Sequence, residues 1–474
     1  MLSDNNASKI IKKLLVETAR LCFEGRLEEG IDRLVIDTIP KKSNANRCCV
    51  HKDRAVIKYR LMAILGHSAE EEEDELKRLS EYAGQTLQRE EISEPVLTVI
   101  DEACSACPAG RHFVTNVCRG CVARPCMVNC PKDAIQIHNG RAEIDEDKCV
   151  NCGICLKVCP YNAIVEIPVP CENACPVGAI SKDESGKEQI DYSKCIFCGR
   201  CMTACPFGAI MERSQIIDVA RKLAEGRKVA ALTAPSAAGQ FPCEFSQLKG
   251  AILKAGFSDV LEVAEGADIT AKKEAREFEE KINEGQKFMT SSCCPVYKEA
   301  AKKHIPELCE FISDTPTPME FAGRKAKEKY PGCTAVFIGP CIAKRQEAME
   351  GRSIDHVLTC EELGAILVAK DIFVRETEPA ETPGQASIEA RKFGASGGVT
   401  EAVKANLSGN IQIKPELIDG LDNKNIKKLA DICTGNTNFN FVEVMNCKGG
   451  CVGGPGNLST PARAAKRIEK TFDQ

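Results

Sequence analysis

Two runs of cysteine carry the first recognisable chemistry: Cys149-x2-Cys152-x2-Cys155-x3-Cys159-Pro160 and Cys195-x2-Cys198-x2-Cys201-x3-Cys205-Pro206. Three thiolates on one tight loop can wrap a corner of a 4Fe-4S cubane, while the fourth, held by the rigid Pro turn, points at a neighbouring cluster. A third run, Cys118-x2-Cys121-x4-Cys126-x3-Cys130-Pro131, is a stretched version. Pairing it with the run at 149 predicts two ligand sets: Cys118, Cys121 and Cys126 with Cys159, and Cys149, Cys152 and Cys155 with Cys130. The segment Cys171-x3-Cys175-Pro176 keeps only the end of the motif and leaves its module two thiolates short, a pair that Cys104-x2-Cys107 could supply. The cysteines therefore suffice for three to four clusters. Structural zinc also uses paired C-x2-C spacing, but three complete four-cysteine runs ending in Pro favour cubanes. For Cys104 and Cys107 alone, a small zinc site or free thiols stays open.

A second constellation lies downstream. Thr290-Ser291-Ser292-Cys293-Cys294-Pro295-Val296-Tyr297 sets two adjacent thiols after an apolar run. It is followed by Gly339-Pro340-Cys341-Ile342-Ala343-Lys344-Arg345-Gln346-Glu347 and by Glu443-Val444-Met445-Asn446-Cys447-Lys448-Gly449-Gly450-Cys451-Val452-Gly453-Gly454-Pro455. Four cysteines drawn from three strand ends can close a buried 4Fe-4S site, and the glycines let backbone crowd against something bulky. These segments resemble the three signature motifs of the FeFe hydrogenases, a resemblance that runs over roughly residues 96 to 456.

The resemblance implies an H-cluster: a cubane joined through one thiolate to a diiron unit carrying carbon monoxide, cyanide and a bridging dithiolate. By motif position Cys294, Cys341, Cys447 and Cys451 match its cubane ligands, Cys451 being the bridging one. Ala234-Pro235-Ser236 and Phe393-Gly394-Ala395-Ser396-Gly397-Gly398 look like the family's diiron-contacting segments, with Met445 beside them. Lys344 looks like the cyanide-contacting lysine, and an ammonium there would donate hydrogen bonds to a buried anionic ligand. The implied reaction, reversible oxidation of hydrogen or reduction of protons, needs a titratable path to solvent. Cys293 matches the family's relay thiol. Between Ala271 and Ile282 a helical face of Ala271, Ala275, Phe278 and Ile282 puts Glu274 at its edge and Glu277 further toward solvent. The motifs likewise match Glu274 and Glu277 to relay glutamates and Thr317 to the relay hydroxyl; Glu347 is a further candidate. Electrons would pass along the accessory clusters, whose potentials reach roughly -400 mV, to or from a ferredoxin-like carrier, and dedicated maturation proteins would insert the diiron unit.

The chain departs from the best-known branch, with Gly339 where a Met is usual before Pro340 and Tyr297 where a Trp is usual, and so resembles the divergent group B. Two other readings compete: a hydrogen sensor, and an iron-sulfur assembly factor lacking the diiron unit. Cys293 speaks against the first, and Cys293, Lys344 and the pocket loops speak against the second.

The elements that must position these residues follow from patterning over 474 residues, a length that implies several domains. Apolar β-prone runs at Val229–Leu232, Val260–Val263, Thr334–Ile338 and Phe441–Met445 alternate with helix-like segments, and cysteine motifs sit just beyond such runs, where open α/β sheets bind ligands. The phrase Cys-Pro-x-x-Ala-Ile recurs at Cys130, Cys159, Cys175 and Cys205, marking a repeated small module. The expected fold is α+β and multidomain: a helical N-terminal domain (1–95), two bacterial-ferredoxin-like modules (96–168 and 169–214) and a two-lobed α/β catalytic domain (215–474). The run Glu70 to Glu75 reads as a solvated helix face, and Cys22, Cys48 and Cys49 as structural thiols. A net charge of -5 with both signs interspersed gives no basic face for nucleic acid. Twenty-nine cysteines in tight repeats, no signal-like apolar block near the N-terminus and no apolar stretch long enough to span a bilayer point to a reducing, cytoplasmic setting without membrane contact.

Overall fold

The computed structural model describes residues 5–92, 94–107, 112–380, 384, 386–409, 411–435 and 438–472. The first four helices are α1 (Asn6–Phe23), α2 (Leu27–Thr38), α3 (Val50–Ile64) and α4 (Leu79–Gln88). Asn5 caps α1 by accepting the Ser8 amide at 2.8 Å, and Leu14, Leu15, Ala19 and Cys22 bury one face of the helix. That face packs on the helices Ile216–Ala224 and Cys360–Ala369. The N-terminal helices thus share one continuous apolar core with residues downstream of 215.

Two local expectations are corrected here. Glu70 to Glu75 is not a helix face but part of the connection between α3 and α4. Its carboxylates are used to fasten neighbours: Glu70 accepts from the Val99 amide and Tyr192 hydroxyl, Glu72 from the Tyr82 hydroxyl. Of the three isolated cysteines only Cys22 is buried, while Cys48 and Cys49 are exposed at the start of α3.

The cysteine-rich middle is built from short antiparallel ribbons. His112–Val114 pairs with Ile164–Glu166, Ile135–His138 with Arg141–Ile144, and Ile180–Lys182 with Glu188–Ile190. Leu97–Val99 pairs with Ile210–Glu212, so the segment from 96 is tied to the second module and not, as expected, to the first. The recurring Cys-Pro-x-x-Ala phrase has a direct physical reason. The Ala134, Ala163 and Ala179 amides donate to the sulfurs of Cys130, Cys159 and Cys175 at 3.3, 3.4 and 3.2 Å, so the turn fixes each thiol's direction. Asn151 and Phe197, each two residues beyond the first cysteine of its run, take left-handed φ values of 52° and 54° that curl the loops inward.

The remainder is two-lobed. Its strands are β1 (Val229–Thr233), β2 (Asp259–Glu262), β3 (Met289–Thr290), β4 (Thr334–Ile338), β5 (His356–Leu358), β6 (Pro415–Asp419) and β7 (Phe441–Met445). One parallel sheet has the order β2-β1-β4-β5, the other β3-β7-β6. Burial on both faces explains the largely apolar runs of β1, β4 and β7. Ala234, Cys294, Cys341 and Cys447 lie just past the carboxyl ends of β1, β3, β4 and β7.

A buried ion cluster joins the second module to the first lobe. The fully buried Arg345 guanidinium meets Glu362 at 2.6 Å and Glu212, from the module's last strand, at 3.0 Å. It also donates to the Arg213 carbonyl, while the Ser214 hydroxyl donates to Glu362. Removing one partner of a buried pair costs about 3–5 kcal/mol because it strands the other charge. Arg345→Met is therefore expected to lower the thermal transition of the full chain by several degrees. Lys187→Met, which breaks an exposed pair with Asp101, should leave it unchanged; equal effects in a melting comparison would contradict the role given to the cluster.

Candidate active site

Cys294, Cys341, Cys447 and Cys451 line one cavity. Three separate strand ends deliver them, which is why no short spacing relates them. Burial pushes all four thiols above their ordinary range, Cys341 to about 11 and Cys451 to about 12, and Cys341, Cys447 and Cys451 also feel charge on others of the set. Such thiols do not ionise on their own; coordination to a metal cluster is what deprotonates a buried thiol. Among the described residues no three His, Cys, Asp or Glu side chains converge closely enough to hold a single ion. The four sulfurs instead surround a volume, which fits a cubane.

The same cavity continues past the thiols. Ala234, Pro235, Ser236, Phe393 and Met445 line it, together with Met319 and Phe337, which the sequence did not single out. Lys344 is the one charged side chain among the lining residues. Burial works against its charge, yet Glu347, 2.5 Å away, and the Cys341 and Cys293 thiols hold the ammonium above its ordinary range. An apolar chamber with one fixed cation suits a bulky anionic group. Gly450, at φ 91°, allows its backbone to bridge to Ala395; a Cβ there would lie 2.5 Å from the Gly394 oxygen. At the unusual Gly339 a Cβ would sit 2.8 Å from Phe337 Cε1, so the Phe337 ring takes the room a larger residue would use. Tyr297, fully buried, shares a hydrogen bond with the Thr290 hydroxyl at 2.7 Å.

Cys293 points into the cavity beside the four thiols, and burial followed by the Glu274 charge raises its thiol well above the usual range. Glu274 is itself fully buried. Its Oε1 accepts from the Ser292 amide and hydroxyl at 3.0 and 2.9 Å, whereas its Oε2 has no hydrogen-bond partner among the described residues. Burial pushes its carboxyl up to about 7. Ser313 stands between the two glutamates: its hydroxyl donates to Glu277 Oε2 at 2.6 Å and lies near enough to stabilise the Glu274 carboxylate. Despite partial burial, Lys281, Ser313, Asp314 and Thr315 hold Glu277 below the usual carboxylate range, and Asp314 is at the surface. Thr317 does not join this chain. Its hydroxyl donates to Glu347 instead, which places Thr317, Glu347 and Lys344 in a separate group. Ser313, bonded to Glu277 and near Glu274, lies in a loop with no periodicity to mark it.

The ferredoxin-like thiols gather as well. Cys130, Cys149, Cys152 and Cys155 line a single small cavity, and Cys126 feels the charges of Cys121 and Cys159. In the second module Cys201 feels Cys198, Cys195 and Cys175. Cys107 feels Cys104 and Cys205, and Cys171 feels Cys205. Cys104 and Cys107 thus lie near the incomplete run, in the company of Cys205. Cys198 lines the large cavity, and Gly199 approaches so closely that a Cβ would lie 2.8 Å from Ile342 and 2.9 Å from Pro455.

Fold and site together define a class: an iron-sulfur oxidoreductase in which cysteine-rich electron modules abut a buried, thiol-ringed chamber. Residues 227–455 match the family described as iron only hydrogenase large subunit, C-terminal domain, and residues 142–165 and 188–211 match the 4Fe-4S binding domain. The chain belongs to the FeFe (iron-only) hydrogenase family. It is 29% identical over 384 residues to the periplasmic Fe hydrogenase large subunit of Nitratidesulfovibrio vulgaris, covering 67% of this chain and 86% of that one. It is 28% identical over 266 residues to iron hydrogenase 1 of Clostridium pasteurianum, spanning 46% of each chain, less than half of that relative's length. A solved structure of the FeFe-hydrogenase HydA1 from Chlamydomonas reinhardtii is 20% identical, covering 51% of this chain and 84% of that chain at a TM-score of 0.43. Among the described residues no helix is long and apolar enough to cross a membrane.

The environment of Glu274 makes a spectroscopic prediction. A carboxyl raised to about 7 is protonated below that pH and ionised above it. Infrared difference spectra of the full chain should show a buried carboxylic C=O band that disappears around neutral pH and is absent in Glu274→Gln. Loss of the band near the ordinary glutamate value of about 4.3 would contradict the geometry.

Proposed function

We propose that this chain interconverts molecular hydrogen with two protons and two electrons, the electrons travelling through 4Fe-4S clusters to or from a ferredoxin-like carrier. The observation that carries the reading is the company kept in one cavity: four mutually adjacent thiols, a fifth thiol surplus to coordination, and a single ammonium. Cys294, Cys341, Cys447 and Cys451 would hold the cubane of an H-cluster, and Lys344, Ala234, Pro235, Ser236, Phe393 and Met445 would enclose its diiron unit. When bound, that group supplies the metal at which hydrogen is formed or split.

The chain's own residues do the rest. Cys293 exchanges a proton between the chamber and the unpartnered Glu274 Oε2. Ser313 passes it to Glu277, from which Lys281 and Asp314 lead to solvent. A relay works best when its groups titrate near the working pH, and the position of Glu274 near 7 meets that need. Lys344, steadied by Glu347, and Thr317 through Glu347, hold positive charge against the anionic ligands. Apolar lining keeps bulk water out, so protons enter by the relay alone.

Electrons arrive from the other side. Cys198 on the shared cavity makes the set of Cys195, Cys198, Cys201 and Cys175 the last station before the chamber. The set of Cys104, Cys107, Cys171 and Cys205 precedes it, and the two sets of the first module lie beyond. Val117, Val122, Val128, Val150, Tyr161 and Ile167 are all exposed on that first module, a concentration of apolar surface that supports docking of a protein carrier there.

The matured full chain, given reduced viologen, is expected to evolve hydrogen and to show infrared bands of bound carbon monoxide and cyanide. Bands without gas would favour a sensor, and neither would favour an assembly factor. Cys293→Ser and Ser313→Ala should each lower turnover by about 100-fold or more with iron content and infrared bands retained. Thr317→Ala should cost far less. A Thr317→Ala loss as large as that of Ser313→Ala would refute the relay as drawn.

A further inference from the structure

A cation is buried with no carboxylate in direct ion-pair contact among the described residues. Arg60, on α3, is 4% exposed. Its Nη2 donates to the carbonyls of Phe207 at 2.9 Å and Gly208 at 3.4 Å, in the turn that follows Cys205. Its Nε has no hydrogen-bond partner, and among the described residues no carboxylate lies within ion-pair distance of the guanidinium. Asp53, in the same neighbourhood, is engaged by the Asn46 amide at 2.7 Å. A second guanidinium sits alongside: Arg47 donates to the Ala103 carbonyl at 2.6 Å, next to Cys104, and lies 5.7 Å from the centre of the Phe207 ring. Lys182, the other cation near these cysteines, is already matched by Glu188.

Burying a guanidinium without a counter-charge costs several kcal/mol, and a like charge beside it adds to the cost. Arg60 reaches the turn two and three residues beyond Cys205, where an ionised Cys205 and the Asp53 carboxylate would both favour the guanidinium. A cubane ligated by four thiolates is an anion, and it accepts N–H···S hydrogen bonds at its sulfurs. Helices α1 and α3 approach the turn closely, since a Cβ on Gly208 would lie 3.1 Å from Arg60 Nη2 and 3.3 Å from Ala7 Cβ.

We infer that Arg60, assisted by Arg47, is the counter-cation of a 4Fe-4S cluster held by Cys104, Cys107, Cys171 and Cys205, and that the N-terminal helices hold it there to set that cluster's reduction potential. The inference rests on the proposal that these four cysteines bind a cluster. Reduction adds negative charge, so a buried cation and an N–H donor beside the cluster stabilise the reduced state and raise its potential.

The test uses the full chain produced without the diiron maturation proteins, loaded anaerobically with iron and sulfide and titrated potentiometrically by electron paramagnetic resonance. Cys107→Ser should remove about four irons and one signal, which assigns the cluster. No loss of iron would defeat the four-cysteine reading itself, and the inference with it. With the cluster assigned, Arg60→Gln should shift that signal alone to more negative potential, and Arg60→Lys should restore most of the difference. An unchanged midpoint in fully loaded Arg60→Gln, or an equal shift of every cluster, overturns the inference. Should Arg60→Gln lose iron through misfolding, Arg47→Gln, at a partly exposed site, decides the matter: a smaller negative shift of the same signal is expected, and no shift there rejects the role.

Discussion

A thiol removed from water resists ionisation, and several thiols facing one another resist it more. That constraint organises this molecule. Burial raises the thiols of Cys294, Cys341, Cys447 and Cys451, and the charge of neighbouring thiols raises the last three further, so the chamber they ring is stable as a set of thiolates only around metal. Each must also be brought from a different stretch of chain. Two small parallel sheets solve the problem, because the carboxyl ends of parallel strands open on one side and loops of quite different length can meet there.

Proton and electron routes reach the chamber from different directions, and different chemistry builds each. On one side a buried carboxyl, two hydroxyls and a partly exposed carboxylate form a chain of hydrogen-bonding groups around the helix Val263–Asn283. On the other, close backbone approach at Gly199 sets a cysteine of the second module against the chamber wall. The Arg345 cluster lies at this junction, with Glu212 from the module and Glu362 from the lobe sharing one guanidinium, one residue beyond Lys344 in sequence. The ion cluster that fastens the module thus adjoins the turn that positions the chamber's ammonium.

The N-terminal helices take part in the same assembly. Their core runs without a break into the first lobe, and α1 and α3 close over the Cys205 turn. A segment with almost no chemistry in its own sequence thereby contributes charge and cover to the cysteines of another.

The sequence by itself determined the ligand-bearing loops, the parallel strands before them and the membership of the family, because local spacing decides whether one loop can wrap a cubane and the phrase Cys-Pro-x-x-Ala carries its own amide-to-sulfur bond. Tertiary structure alone decided what depends on partners far apart in the chain. The Ser313 hydroxyl donates to Glu277 and the Thr317 hydroxyl to Glu347, since each partner is set by how a loop folds over the helix. Cys104 and Cys107 lie beside the second module because Leu97–Val99 pairs with Ile210–Glu212, a long-range strand contact. The acidic run after α3 left the helix because its carboxylates found donors on the second module and on α4. Local periodicity reports which groups a segment can present; which groups meet is settled by packing energies that span the whole chain.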